Sequence, residues 1–136
     1  MRIGADTYFL VLLAKEDGHA QHLFKEIVEG KHEFFVSAIS ITEFATVLYR
    51  KGQSELVESM KAQLVSFPHV NIVSVDLDIA SNAAKRKHSF GLSTCDAVIL
   101  ATALTENCDV FIAEDSDYAQ VKEQGIIKIV KPEDLL

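Results

Sequence analysis

The sequence predicts an α/β fold in which helices cover both faces of a mostly parallel sheet, and three observations lead there. Five short β-rich apolar runs are spread along the chain, segments of helical periodicity separate them, and no Pro/Gly/Ser linker, repeat or low-complexity tract divides the 136 residues. Strands joined through helices need crossover connections, which align them in parallel. A chain of this length, 49% hydrophobic and 24% charged, is read as one domain over residues 1–136.

The first strand is Arg2–Ala5, followed by helical patterning over Thr7–Ala14 and His19–Glu29. His19 and His22 stand one helical turn apart but lack the Glu of a HExxH pattern, so they are read as exposed surface. The second strand is Glu33–Ser37. Two amphipathic helices, Ile41–Arg50 and Ser54–Ser66, follow and meet near Gly52, with Phe44, Val47, Leu48, Leu56, Met60 and Leu64 at helical spacing. Beyond Pro68 come a strand at Asn71–Val75 and a helix at Leu77–His88 that ends in the basic run KRKH. The helix Thr94–Asn107 is rich in small residues, Ala97, Ala101 and Ala103 among them, which let a helix lie close on a sheet. A strand at Val110–Ala113, a brief helix at Tyr118–Glu123 and a last strand at Ile126–Val130 complete the series.

The longest early apolar stretch, Thr7–Ala14, lies between Asp6 and the charged Lys15, Glu16 and Asp17. It is too short for a signal sequence or a membrane span, and a cytoplasmic location without membrane attachment is expected. Cys95 and Cys108 have no zinc-type companions and read as buried free thiols. A net charge of −7 counts against broad attraction to nucleic acid but leaves room for a local basic strip.

In open parallel sheets ligands gather beyond the carboxyl ends of the strands. There the sequence places Asp6, Glu43, Asp96, Asp115 and Asp117, and the flanks GADTYF, SITEFA, TCDAVI and AEDSDY contain no Lys or Arg. Each acid has a plain structural explanation. SITE (Ser40–Glu43) and STCD (Ser93–Asp96) fit the capping box, and a helix dipole favours acids such as Asp6 and Asp115 by roughly 0.3–1 kcal/mol. Caps do not explain why the acids recur at one sheet edge, where they would have to take up protons or share a cation. A carboxylate-only set suits Mg2+ or Mn2+ and the phosphoryl-transfer chemistry of a phosphodiesterase or nuclease.

At these residues the chain resembles the PIN-domain family, in particular its VapC-type toxins of toxin–antitoxin pairs. GADTYFLVLL is similar to the family's N-terminal Asp-Thr motif, VSAISITEFATVL to its Ser and Glu motif, LSTCDAVILATAL to its central Asp helix and VFIAEDSDY to its terminal acidic loop. The resemblance implies a three-layer α/β/α fold around a five-stranded parallel sheet. It further implies catalysis and metal binding by Asp6, Glu43, Asp96 and Asp115, with Asp117 an accessory ligand and Thr7, Ser40 and Ser93 in orienting roles. The implied reaction is endonucleolytic RNA hydrolysis with Mg2+ or Mn2+, leaving a 5′-phosphate. The implied partners are RNA, a cognate antitoxin and a second copy of the chain, with the helix pair in Ile41–Phe67 helping to form the dimer and the antitoxin groove.

Tyr8 and Ala113 stand where the family often has polar side chains, which bears on how well metal or water is oriented. Lys85, Arg86 and Lys87 precede the Asp96 loop and could hold an RNA backbone, against the plainer reading of a solvated helix end. Two alternatives stay open from sequence. A degenerate domain of this family could act as a binding module, and a response-regulator-like receiver could take up phosphate, although Asp6 lacks the acidic neighbour that a receiver carries after its first strand.

Overall fold

The computed structural model describes residues 1–136 and follows the predicted alternation of strands and helices. Strands β1 (Arg2–Ala5), β2 (Glu33–Ser37), β3 (Val70–Val73), β4 (Val110–Ile112) and β5 (Lys128–Val130) form one sheet in the order β3-β2-β1-β4-β5, all parallel. Receiver-type sheets have the order 2-1-3-4-5, so this topology removes that alternative. β3 stops at Val73, two residues short of the expected end, because its pairing partner β2 runs out at Ser37.

The helices are α1 (Thr7–Ala14), α2 (Gly18–Val28), α3 (Ala38–Arg50), α4 (Glu55–Ser66), α5 (Leu77–Phe90), α6 (Thr94–Thr105) and α7 (Ala119–Gln124). Side chains of Asp6, Asp17, Ser37, Asp76 and Ser93 accept backbone N–H bonds at five of their N-termini, each such cap contributing roughly 1 kcal/mol. α3 starts three residues earlier than the sequence suggests, so its cap is Ser37, whose Oγ accepts from the Ile39 N–H at 3.2 Å. Ser40 is therefore no cap. It sits fully buried inside the first turns of α3, its hydroxyl without a partner.

Side chains alternate across the sheet and both faces are buried, as parallel strands require. Ile3, Ala5, Val110 and Ile112 face one layer with Phe9, Leu23, Ile27 and Phe44, while Phe111 and Ala113 face the other with Ile79, Leu100 and Tyr118. α6 is buried without interruption from Ala97 to Ala103. It lies so close to β1 that a Cβ on Gly4 would fall 2.7 Å from the Ala103 Cβ and 3.3 Å from the Cys108 sulfur. No helix is long and apolar enough to cross a membrane.

This close approach sets the height of α6 over the sheet, so Gly4→Ala is expected to cost about 1–3 kcal/mol through overpacking. Gly18→Ala, where an added Cβ meets nothing within 4 Å, should leave the melting temperature within a degree or two of wild type. Thermal denaturation of the two variants checks the contrast.

Candidate active site

β1 lies between β2 and β4, and the chain leaves β1 and β4 toward opposite faces of the sheet, opening a crevice at their carboxyl ends. Asp6 is the first residue beyond β1. Its N–H still bonds to the Ile112 carbonyl at 2.9 Å, and its carboxylate caps α1 by accepting from the Thr7 N–H at 2.7 Å. The side chain is buried in a cleft of about 560 Å³ that Glu43, Asp96, Glu114 and Asp117 also line.

Each acid reaches the cleft for a local reason. Glu43 projects from the second turn of α3, and its Oε1 accepts a hydrogen bond from the Thr7 hydroxyl at 2.5 Å, which ties α3 to the start of α1. Asp96 sits in the first turn of α6, held by Ser93, whose Oγ accepts from the Asp96 N–H at 3.2 Å. Beyond β4, Glu114 immediately precedes a single 3-10 turn, Asp115–Tyr118, which carries Asp117.

That turn decides which acid faces inward. Asp115, expected as the fourth member of the quartet, is exposed, and its Oδ2 accepts from Lys122 Nζ at 3.0 Å, outside the cleft. Asp117, expected as accessory, lines the cleft in its place. Thr7 donates to the Glu43 carboxylate and Ser93 accepts from the Asp96 backbone N–H, whereas Ser40 is buried one turn before Glu43 with no hydrogen bond. The basic run stays apart: Lys87 Nζ donates to the Thr94 hydroxyl, Arg86 Nε donates to Asn82, and none of Lys85, Arg86 and Lys87 lines the cleft. His19 and His22 are exposed. Cys95 and Cys108 are free and only partly buried, and burial raises both thiols, Cys108 to about 12.

Beneath the acids lies Tyr118, fully buried and packed edge-on against Phe111 at 5.1 Å. Its hydroxyl faces Asp96 without completing a hydrogen bond of good geometry, and burial together with the Asp6 and Asp96 charges raises its pKa. Sequence periodicity treats Tyr118 as the start of a short helix; only the folded turn shows it as the floor of the site.

Crowding without counter-charge leaves its mark on the carboxyl groups. Desolvation raises Asp6 from the ordinary 3.8 to about 7, opposed by the Thr7 N–H and reinforced by the charges of Asp96, Glu43 and Asp117. Asp96 is raised as well, mainly by burial, with Ser93 opposing and Asp117 adding to the shift. The donor set is all oxygen, which fits Mg2+ or Mn2+ rather than a softer ion. No three His, Cys, Asp or Glu side chains stand close enough together to grip one ion directly.

Comparison with known proteins gives the same architecture. Residues 5–124 match the PIN domain family. No curated protein sequence matches the chain. Among solved structures, VapBC2 from Rickettsia felis bound to promoter DNA superposes with a TM-score of 0.76 at 12% identity, covering 96% of this chain and 98% of that one. A toxin–antitoxin complex from Klebsiella pneumoniae gives 0.68 at 21% identity, with 97% and 98% covered. VapC20 of Mycobacterium tuberculosis, a toxin that cleaves the sarcin-ricin loop, gives 0.67 at 21% identity, with 88% and 94% covered. At these identities the likeness is one of fold.

The raised Asp6 predicts how stability responds to pH. Between about 3.8 and about 7 the folded protein holds a proton that the unfolded chain has released, so this contribution is fully present below the lower value and is lost as pH rises through the upper one. Asp6→Asn keeps a capping oxygen but carries no charge. With chelator present, it is expected to melt several degrees above wild type near pH 8 and at nearly the same temperature near pH 4, as thermal scans across that range would record.

Proposed function

The chain belongs to the PIN domain family, and from that premise we propose that it is a metal-dependent endoribonuclease, the toxin of a toxin–antitoxin pair. The observation that carries this reading is the convergence of Asp6, Glu43, Asp96 and Asp117, from four separate segments, on one cleft that holds no histidine or cysteine ligand. The carboxyl of Asp6, raised to about 7 at the carboxyl end of the central strand mainly by burial, supports this reading.

The chemistry supplied by Mg2+ or Mn2+, when bound, is Lewis acidity toward the phosphate and a lowered pKa for attacking water. The chain's own residues hold the geometry for it. Thr7 fixes one oxygen of Glu43, leaving the other free; Ser93 sets the turn that presents Asp96; and Tyr118 keeps the floor dry. Water adds across the P–O3′ bond, its oxygen going to phosphorus and a proton to the leaving 3′-oxygen, so that the downstream fragment carries a 5′-phosphate. Asp115, paired with Lys122 at the rim, is left out of this set.

Beside the site, α1 to α4 form an apolar groove of about 640 Å³ lined by Leu10, Leu13, Phe24, Phe44, Met60 and Phe67. Its occupant in this reading is an apolar segment of the cognate antitoxin. The exposed Tyr49 and Val65 on the same helix pair supply the homodimer contact, and the complex works in the cytoplasm.

Asp96→Asn and Asp117→Asn should each reduce RNA cleavage by at least about 100-fold and weaken Mn2+ binding by about 10-fold or more, while Asp115→Asn stays within a few-fold of wild type. Cleavage of a labelled single-stranded RNA and Mn2+ calorimetry test this. If Asp96→Asn leaves both cleavage and Mn2+ affinity unchanged, the mechanism is wrong, and a wild-type protein that binds Mn2+ and RNA but cuts nothing is a binding module.

A further inference from the structure

We propose that Arg50 anchors a flanking phosphate of the RNA strand on the α1–α3 side of the carboxylate cleft, an inference that rests on the RNA-cleaving reading above. Arg50 is the only Lys or Arg among the residues lining that cleft. Glu43, Thr46 and Arg50 all line it from α3, their spacing of three and then four residues placing them on one helix face. Seven residues separate Glu43 from Arg50, about 10 Å along the helix axis. The guanidinium is thereby set away from the carboxylates, where it meets a neighbouring phosphate rather than the one being cut.

The second observation is that Arg50 has nothing else to do. The chain has three arginines. Arg2 donates to the Glu106 carbonyl at 2.7 and 2.9 Å and lies over the Phe35 ring at 4.3 Å; Arg86 donates to Asn82 at 3.2 Å. Arg50 enters no side-chain hydrogen bond and no ion pair, although the protein carries 20 acidic residues. An exposed, unpaired arginine beside a carboxylate cleft offers a bidentate fork matched to phosphate, at a point where the acids would otherwise repel a polyanion.

A third observation gives direction to the strand. On the far side of Asp96 and Asp117 a second groove, lined by Phe90, Ser93, Ser116 and Gln120 among others, contains no Lys or Arg. The two grooves share Asp96 and Asp117, and among the residues lining the two Arg50 is the one cation, Lys87 and Lys122 nearby being engaged with Thr94 and Asp115. Arg50 therefore fixes which part of the backbone is gripped and on which side of the acids it lies.

The test compares wild type, Arg50→Ala and Arg50→Lys on a fluorescein-labelled single-stranded RNA, cleaved in Mn2+ and bound in Ca2+ over a salt series. Arg50→Ala is expected to raise KM about tenfold with kcat within about threefold, and to flatten the slope of log Kd against log salt by about 0.7, the share of one single-strand phosphate. Arg50→Lys should restore the slope and only part of the affinity. Mn2+ affinity should be no weaker in either variant. An unchanged KM and slope in Arg50→Ala, or a fall in kcat alone, overturns the assignment while leaving the ribonuclease reading in place. A wild type that neither binds nor cuts RNA overturns both.

Discussion

Everything at the sheet edge depends on one buried carboxylate. Asp6 stands at the head of the central strand, 7% exposed, with no cation beside it. Burying an ionised carboxylate costs several kcal/mol unless it is paired, and here the offset is partial: one N–H from Thr7 and a share in capping α1. The remaining cost appears as a pKa near 7. Such a residue is tolerated only where the rest of the fold is stable enough to impose it, and the two continuous apolar layers on either side of β1 do so.

Those layers also explain why the acids do not drift apart. Asp96 is carried by a helix buried along seven consecutive residues, and that helix is seated against the bare backbone of Gly4. Glu43 is held through Thr7, whose backbone N–H serves Asp6 and whose hydroxyl serves Glu43. Mutual repulsion of the carboxylates is thus opposed by packing at a distance rather than by salt bridges at the site.

Much of this was legible from residue order. The strand and helix alternation, a mostly parallel sheet and the gathering of Asp6, Glu43 and Asp96 follow from short-range pattern plus the rule that parallel strands present their carboxyl ends together, while the single five-stranded sheet came with the family resemblance. The illegible parts were matters of phase. Whether Asp115 or Asp117 faces the cleft is decided by one 3-10 turn, and a shift of two residues in such a turn rotates a side chain from rim to interior. Ser40 looked like a cap because SITE fits the capping pattern, but the extended backbone of Ser37 starts the helix three residues sooner. Arg50 escaped notice because the denser run Lys85–Lys87 drew attention to charge in sequence, whereas the cleft selects charge by helical face.

α3 joins these threads, because its two faces serve two different chemistries. Glu43, Thr46 and Arg50 look onto the carboxylate cleft, while Phe44 and Leu48 look into the apolar groove. The Thr7–Glu43 hydrogen bond, 2.5 Å long, joins the cleft-facing side of α3 to the start of α1. α1 divides its faces in the same way, with Thr7, Tyr8 and Val11 on the cleft and Leu10 and Leu13 on the groove, so the two sites share both of their walls.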